Sequence, residues 1–160
     1  MTKLTIEQIP PAALKPYGRN ARTHSKKQLR QIAASIEEFG FTNPILIDKS
    51  NTVLAGHGRL EAAKLLDMRA VPCVRLEYMS ETQKRAYVLA DNKLALNAGW
   101  DETILAEELQ GLLADDPGFD LSITGFTIAE TDSLIEGLTP EEPGDPEDEV
   151  LPPLGEGETR

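Results

Sequence analysis

The stretch VLAGHGRLEAAKLL, residues 53–66, constrains the fold more than any other part of the chain. Val53-Leu54-Ala55 is an apolar run suited to a buried strand, and Gly56-His57-Gly58 interrupts it as a tight turn. From Arg59 onward, Leu60, Ala63 and Leu66 recur at helical spacing. A strand that hands over to a helix through glycines needs a sheet to pair with and a sheet face for the helix to cover. That requirement predicts an α/β core.

The flanking sequence extends this core. Ser25 with Gln28 forms a capping-box pattern. Leu29, Ile32, Ala33, Ile36 and Phe39 then follow helical spacing to Gly40. Pro44 to Asp48 reads as a short apolar strand, Lys49-Ser50-Asn51 as a turn, and Thr52 to Ala55 as the next strand. Met68-Arg69-Ala70 returns the chain to a third strand over residues 71–76. Ser80 with Gln83 opens a helix over about 80–96, and Asp101 caps another that runs to about Leu113. In that second helix Ile104, Leu105, Leu109, Leu112 and Leu113 are expected on one face. Asp115 to Gly118 is a turn, and Thr127 with Glu130 opens a last short helix ending near Leu138. The expected organisation is a mixed α/β (α+β) core over about 3–78, a helical part over about 79–138, and a tail. The tail, TPEEPGDPEDEVLPPLGEGETR, residues 139–160, is acidic and rich in proline, and is expected to be disordered.

Charge is segregated along the chain. Residues 1–95 hold 15 Lys/Arg against 9 Asp/Glu, whereas residues 96–138 hold 10 Asp/Glu and no Lys/Arg. The net charge of −11 therefore conceals a basic first half suited to a polyanion. No apolar run reaches the length of a membrane span, and MTKLTIEQIPPAAL lacks the apolar stretch of a secretion signal. The single cysteine, Cys73, excludes an internal disulfide. These features predict a cytoplasmic protein.

The turn carries chemistry as well as shape. A helix N-terminus exposes unpaired N–H groups and partial positive charge. Glycines before it let those groups converge, and an arginine in the first turn adds a fork for phosphate or carboxylate. Gly56-His57-Gly58-Arg59 therefore reads as an anion cradle, although a plain β–α turn with a solvated His and Arg fits the same residues. No Gly-Lys-Ser/Thr follows, so it is not a Walker A loop, and no third glycine completes a dinucleotide fingerprint. Two further clusters are polar: Tyr17 to Lys27, which is basic and irregular, and Ala90-Asp91-Asn92-Lys93, late in a helix. Asp91 and Asn92 offer oxygen ligands for Mg²⁺, and Lys93 offers a cation for phosphate. One carboxylate suffices for Mg²⁺ only when phosphates supply other ligands.

In order and spacing these clusters resemble the N-terminal domain of ParB-type partition proteins and the wider ParB/sulfiredoxin superfamily. LRQIAASIEEFGFTNPILID resembles the family's helix-then-strand segment with its polar-Pro pair, here Asn43-Pro44. AGHGRLEAAKLLDMRAVPCVRL is similar to the family stretch AGERRxRAAKxxGxxxVPVxV, and ADNKLA to ENxxR. The match is closer to a subgroup with AGHGR, RAYVLADNKLALNAGWD and a later GF motif, often found beside DNA-modification methyltransferases in phage and mobile elements. The resemblance spans about residues 4–135. It implies that Gly56, His57, Gly58 and Arg59 hold the phosphates of a nucleoside triphosphate, CTP or ATP. It places Asp91 and Asn92 near Mg²⁺ and phosphate, Thr42 and Asn43 at the nucleotide edge, and Arg19, Asn20 and Arg22 beside the pocket.

The departures bear on function. His57 and Gly58 stand where ParB has Glu and the first Arg, and Asp91 replaces Glu, which leaves the base of the nucleotide open. Sulfiredoxins carry cysteine in this turn, and here that place is His57. No methyltransferase catalytic stretch is present, and no helix-turn-helix reader or dimer domain is recognisable after the core. The leading expectation is a nucleotide- or phosphate-binding module, accessory to DNA modification, partition or other DNA transactions. Its expected partners are the nucleotide, DNA through the basic half, and a DNA methyltransferase or other phage protein. A Mg²⁺-dependent phosphohydrolase or nuclease, with His57 as base and Asp91 on the metal, is the enzymatic alternative. An α/β adaptor without catalysis is the third reading.

Overall fold

The computed structural model describes residues 3–20 and 23–138. Arg22 and the tail expected to be disordered over 139–160 lie outside the described residues. Four strands, β1 (Ile6–Ile9), β2 (Ile45–Ile47), β3 (Val53–Ala55) and β4 (Val71–Arg75), form one sheet in the order β1-β4-β2-β3. β2 and β4 are parallel, while β1 pairs with β4 and β3 with β2 antiparallel. Among the described residues there are five α-helices, two of them between the strands and three after the last: α1 (Lys26–Phe39), α2 (His57–Leu65), α3 (Glu81–Asn97), α4 (Glu102–Asp115) and α5 (Ile128–Glu136). This is the mixed α/β architecture that the glycine turn demands.

Both faces of the sheet are covered, which explains why its strands are continuously apolar rather than alternating. Successive side chains point to opposite faces. Ile45, Ile47, Val53, Val71 and Cys73 pack on one side with Leu60 and Ala63 of α2. Leu54 and Val74 pack on the other with Val88 of α3. Ile45, Ile47, Leu54 and Leu60 are all at most 1 % exposed, and each such side chain contributes about 1.5–3 kcal/mol by leaving water. α1 lies on α2 and does not touch the sheet as its main partner.

The β2–β3 turn is fixed by polar groups. Asn51 takes φ +63°, and Asp48 accepts the Ser50 and Thr52 N–H groups at 2.8 and 2.9 Å. Lys84 of α3 reaches the same carboxylate at 3.3 Å, with both side chains about 10 % exposed. Arg75 spans Glu7, the Asp48 carbonyl and Asn51 Oδ1, tying β1 and β4 to the turn.

Two features go beyond the sequence reading. β1 has no counterpart in the sequence reading, because Ile6 is 63 % exposed on this edge strand and only Ile9 is buried. In α4 the buried stripe is Ala106 and Leu109, while Ile104 is 57 % exposed and Leu112 also faces outward. The reason is the partner. α4 packs against the shorter α5 rather than a broad sheet face, so a narrow stripe suffices. Trp100 meets Phe126 edge-to-face, 5.6 Å between centroids, where the loop before α4 approaches α5. A 3₁₀ turn over Leu121–Thr124 returns the chain to α1. No described helix is long and apolar enough to cross a membrane.

Candidate functional site

The site is built where β3 becomes α2. Gly56 precedes the helix at φ +102°, a conformation that L side chains rarely adopt. The space is also taken. A Cβ at Gly56 would lie 2.8 Å from Arg59 Nη2, 3.1 Å from its Nε and 3.2 Å from Ile45 Cγ1. Arg59 thus folds back across the turn instead of extending into water. Its Nη2 donates to the Pro44 carbonyl at 3.1 Å, while its buried Nε has no partner. Burial pulls the Arg59 pKa down, with Asp91 and Tyr87 opposing. A cation held this way is short of counter-charge.

Helix caps sharpen the contrast. Ser25, Ser80, Asp101 and Thr127 each accept a backbone N–H from the first turn of α1, α3, α4 and α5. Gly56 supplies no side-chain cap to α2. The first amides of α2 therefore face the pocket without a side-chain acceptor, which is the arrangement that favours an anion.

His57 and Gly58 have separate tasks. The Tyr17 N–H donates to His57 Nε2 at 3.2 Å, pinning the 17–24 loop to the turn. An accepting Nε2 belongs to a neutral ring protonated at Nδ1. Burial pulls the His57 pKa down, His24 adds to this, and Glu61 opposes it. Gly58 is buried beneath α1. A Cβ there would lie 2.9 Å from Ile32 Cδ1 and 3.0 Å from His24 Cε1.

Two cavities meet at Arg59. The smaller, about 260 Å³, is lined by Asn20, Gly56, His57, Gly58, Arg59, Asp91 and Asn92, together with His24 and Ile32. The larger, about 400 Å³, lies between α1 and the Leu121–Thr124 turn, and its polar lining includes Gln28, Gln31, Thr42 and Asn43. The structure thus brings the glycine turn, Asn20, Asp91 and Asn92 together, and sets Thr42 and Asn43 on the far side of Arg59. Arg19 and Lys93 are exposed and line neither cavity.

Asp91 is the sole carboxylate lining the smaller cavity. Burial raises the Tyr87 pKa, and Asp91 raises it further by charge and hydrogen bond. Asn92 Nδ2 donates to the Val88 carbonyl at 2.8 Å, which orients its amide. Among the described residues no group of three or more His, Cys, Asp or Glu side chains could hold a metal by itself. Four contributors escaped the sequence reading as site residues: Tyr17, His24, Ile32 and Tyr87. His24 carried the one usable signal, since it is one of only two histidines and immediately precedes the Ser25 cap.

The model of the family described as the ParB N-terminal domain matches residues 1–93. The chain belongs to this family. A second model, described as the ParB-methyltransferase HTH domain, matches residues 103–160. It overturns the expectation that no helix-turn-helix segment follows the core; the described part of the match contains α4 and α5. Among curated proteins, the chain is 47% identical over 83 residues to the ParB-like nuclease domain-containing protein YnaK of Escherichia coli (strain K12). That match covers 52% of this chain and 95% of the relative. Among solved structures, the C-terminally truncated chromosome-partitioning protein ParB from Caulobacter crescentus, complexed with CTP-gamma-S, superposes with a TM-score of 0.68 at 18% identity. It covers 82% of this chain and 77% of that one, and at this identity it shows the fold. Sulfiredoxin from Arabidopsis thaliana matches with a TM-score of 0.44 at 17% identity, over 52% of this chain and 97% of its own.

Proposed function

We propose that the chain is a nucleotide-binding ParB-type module whose glycine turn holds the phosphates of a nucleoside triphosphate, CTP or ATP. The observation that carries this is the uncapped N-terminus of α2, with the half-buried Arg59 laid across it and its buried Nε left without a partner. A phosphate there would accept from both the amides and the fork. The Caulobacter neighbour complexed with CTP-gamma-S supports the reading at the level of fold. The triphosphate would lie in the smaller cavity, and the nucleoside would extend past Arg59 toward Thr42 and Asn43.

The residues present fit Mg²⁺ only as a shared ion. Asp91 would supply one carboxylate oxygen and Asn92 an amide oxygen, with phosphates and waters completing the shell. When bound, the ion would neutralise phosphate charge. Turnover has less support than binding, because the His57 Nε2 that a general base would use already accepts the Tyr17 N–H.

DNA is the second proposed partner, held by the basic first half of the chain. Residues 96–138 carry no Lys or Arg, so the described α4–α5 pair has no cation with which to neutralise phosphate. This charge split predicts weak, strongly salt-dependent duplex binding that Lys26→Glu with Lys27→Glu reduces. A role beside a DNA methyltransferase draws its support from the second family match, over residues 103–160.

The deciding experiment is a thermal-shift panel of CTP, ATP, GTP and UTP, with and without Mg²⁺, on the wild type and Arg59→Ala. A ligand at one hundred times its Kd adds about 2.7 kcal/mol of apparent stability. A Mg²⁺-dependent shift with one nucleotide, lost in Arg59→Ala, is expected. No shift with any of them overturns the reading.

A further inference from the structure

We infer that His24 is a second ligand of the bound phosphate and that the glycine at position 58 is what admits it. The inference rests on the phosphate reading of the glycine turn and assigns a residue to it. His24 reaches the turn from the loop before α1, not from the glycine motif itself. Among the described residues only His24, Ile32 and Arg59 line both cavities. Ile32 is apolar, so His24 and Arg59 are the polar side chains at the junction. An anion seated on the α2 amides would have Arg59, folded over Gly56, and the imidazole, packed on Gly58, both within the cavity lining.

Gly58 packs directly against the imidazole and the end of Ile32. The ring's Cε1 and Nε2 lie 3.0 and 3.1 Å from where a Cβ on residue 58 would sit. A methyl there would press on the ring, which must give by a few tenths of an ångström, and on the flexible end of Ile32 at 2.9 Å. Arg59 and His57 from α2 and Asp91 from α3 are the charged or titratable groups sharing the smaller cavity with it. An imidazole N–H is a directional donor to a phosphate oxygen. Because it lines the smaller cavity together with the glycine turn, the phosphate rather than the base is the group it reads.

The test compares wild type with Arg59→Ala, His24→Ala, Gly58→Ala and the His24→Ala/Gly58→Ala double variant. Binding of CTP, ATP and inorganic triphosphate with Mg²⁺ is measured by calorimetry well below each variant's melting temperature. His24→Ala is expected to weaken binding about tenfold, as is Gly58→Ala. The double variant is expected to be no weaker than His24→Ala, because the ring is gone and the flexible end of Ile32, the remaining near neighbour, can turn aside. The two histidine Cε1–H proton resonances, assigned with His24→Ala, supply a readout that a packing role would not move. The His24 signal is expected to shift on adding inorganic triphosphate, and should Gly58→Ala fail to fold, this signal and the His24→Ala affinity decide. If His24→Ala binds like the wild type while Arg59→Ala does not, His24 is a packing residue and the inference falls, with the phosphate reading intact. If the wild type binds none of the three, both fall together.

Discussion

The N-termini of α2 and α3 make an instructive pair. At α3 nearly every polar group near the helix start has a partner within the chain. Ser80 and Gln83 exchange hydrogen bonds in a complete capping box, and Lys84 in the first turn reaches both Asp48 and Glu81. At α2 the positions that would perform these tasks are held by Gly56, which cannot cap, and Arg59, whose Nε lacks a partner. One helix start is closed by its own side chains and the other is left open. Under the proposed phosphate-binding function, the difference would separate residues that stabilise the fold from residues that take a ligand, and each prediction below tests that separation.

The largest effect should fall on the closed side. Asp48→Ala leaves the Lys84 ammonium in a site about 10 % exposed and also frees the Ser50 and Thr52 amides. Removing one partner of a buried pair costs about 3–5 kcal/mol, and residual solvent contact puts this pair toward the lower end. Chemical denaturation should read that loss, with nucleotide affinity per folded molecule unchanged. A large affinity change would show that the two helix starts are not separable. Burial raises the Asp48 pKa, but the Thr52 and Ser50 amides and Lys84 outweigh it and leave it lowered. The charged form is thus favoured by folding, so this stability is present above about pH 4 and lost as pH falls below it.

On the open side, Arg59→Leu should do the reverse. The guanidinium is half-buried with an unpartnered Nε, so trading its one hydrogen bond, to the Pro44 carbonyl, for a shorter apolar side chain should change stability by about 1 kcal/mol or less. The nucleotide-dependent thermal shift should vanish, corresponding to a loss of a hundredfold or more in affinity. Strong destabilisation without ligand would make Arg59 a structural residue and weaken the contrast.

A smaller effect calibrates the caps. Ser80→Ala should cost about 1 kcal/mol, the usual value for a lost side-chain cap, and should leave binding unchanged. Gly56→Ser, which nominally installs a cap on α2, should destabilise instead. Its φ of +102° and the 2.8 Å approach of Arg59 Nη2 leave no room for a side chain. If Gly56→Ser stabilised the protein, the open end would be an accident of sequence.

The closed parts of the molecule were the more legible in the sequence. Ser25/Gln28, Ser80/Gln83 and Thr127/Glu130 announce their helices because a capping box is a local device, complete within four residues. The buried run Val53-Leu54-Ala55 and the glycine turn are equally local. β1 was hidden because an edge strand buries little and its partner, β4, lies more than sixty residues away. The site was half legible for the same reason. Gly56 and Arg59 are neighbours in sequence, whereas His24, Ile32 and Tyr87 reach the pocket only through the packing of α1 and α3. Spacing sets Ile104, Leu105, Leu109, Leu112 and Leu113 on one face of α4 but cannot tell how much of it is buried, because that depends on the narrow contact with α5.

The smallest predicted effect concerns the latch between the open turn and the 17–24 loop. His57 accepts the Tyr17 N–H at Nε2, which only the neutral ring can do. Burial, with His24 adding to it, lowers the folded-state pKa below the ordinary value of 6.5. The unfolded chain then binds more protons than the folded one between those two values, so stability rises with pH across that interval. This contribution is complete above about pH 6.5 and is lost as pH falls through the folded pKa. Denaturation at a series of pH values from 7.5 to 5 should show the slope in the wild type and a flatter profile in His57→Gln. Amide exchange at Tyr17 should accelerate over the same interval, because protonation removes its acceptor. If the slope persists in His57→Gln, the titrating group lies elsewhere and the turn is not held by this latch. If Tyr17 exchange alone fails to respond, the loop is held by its other contacts and His57 serves the turn only as packing.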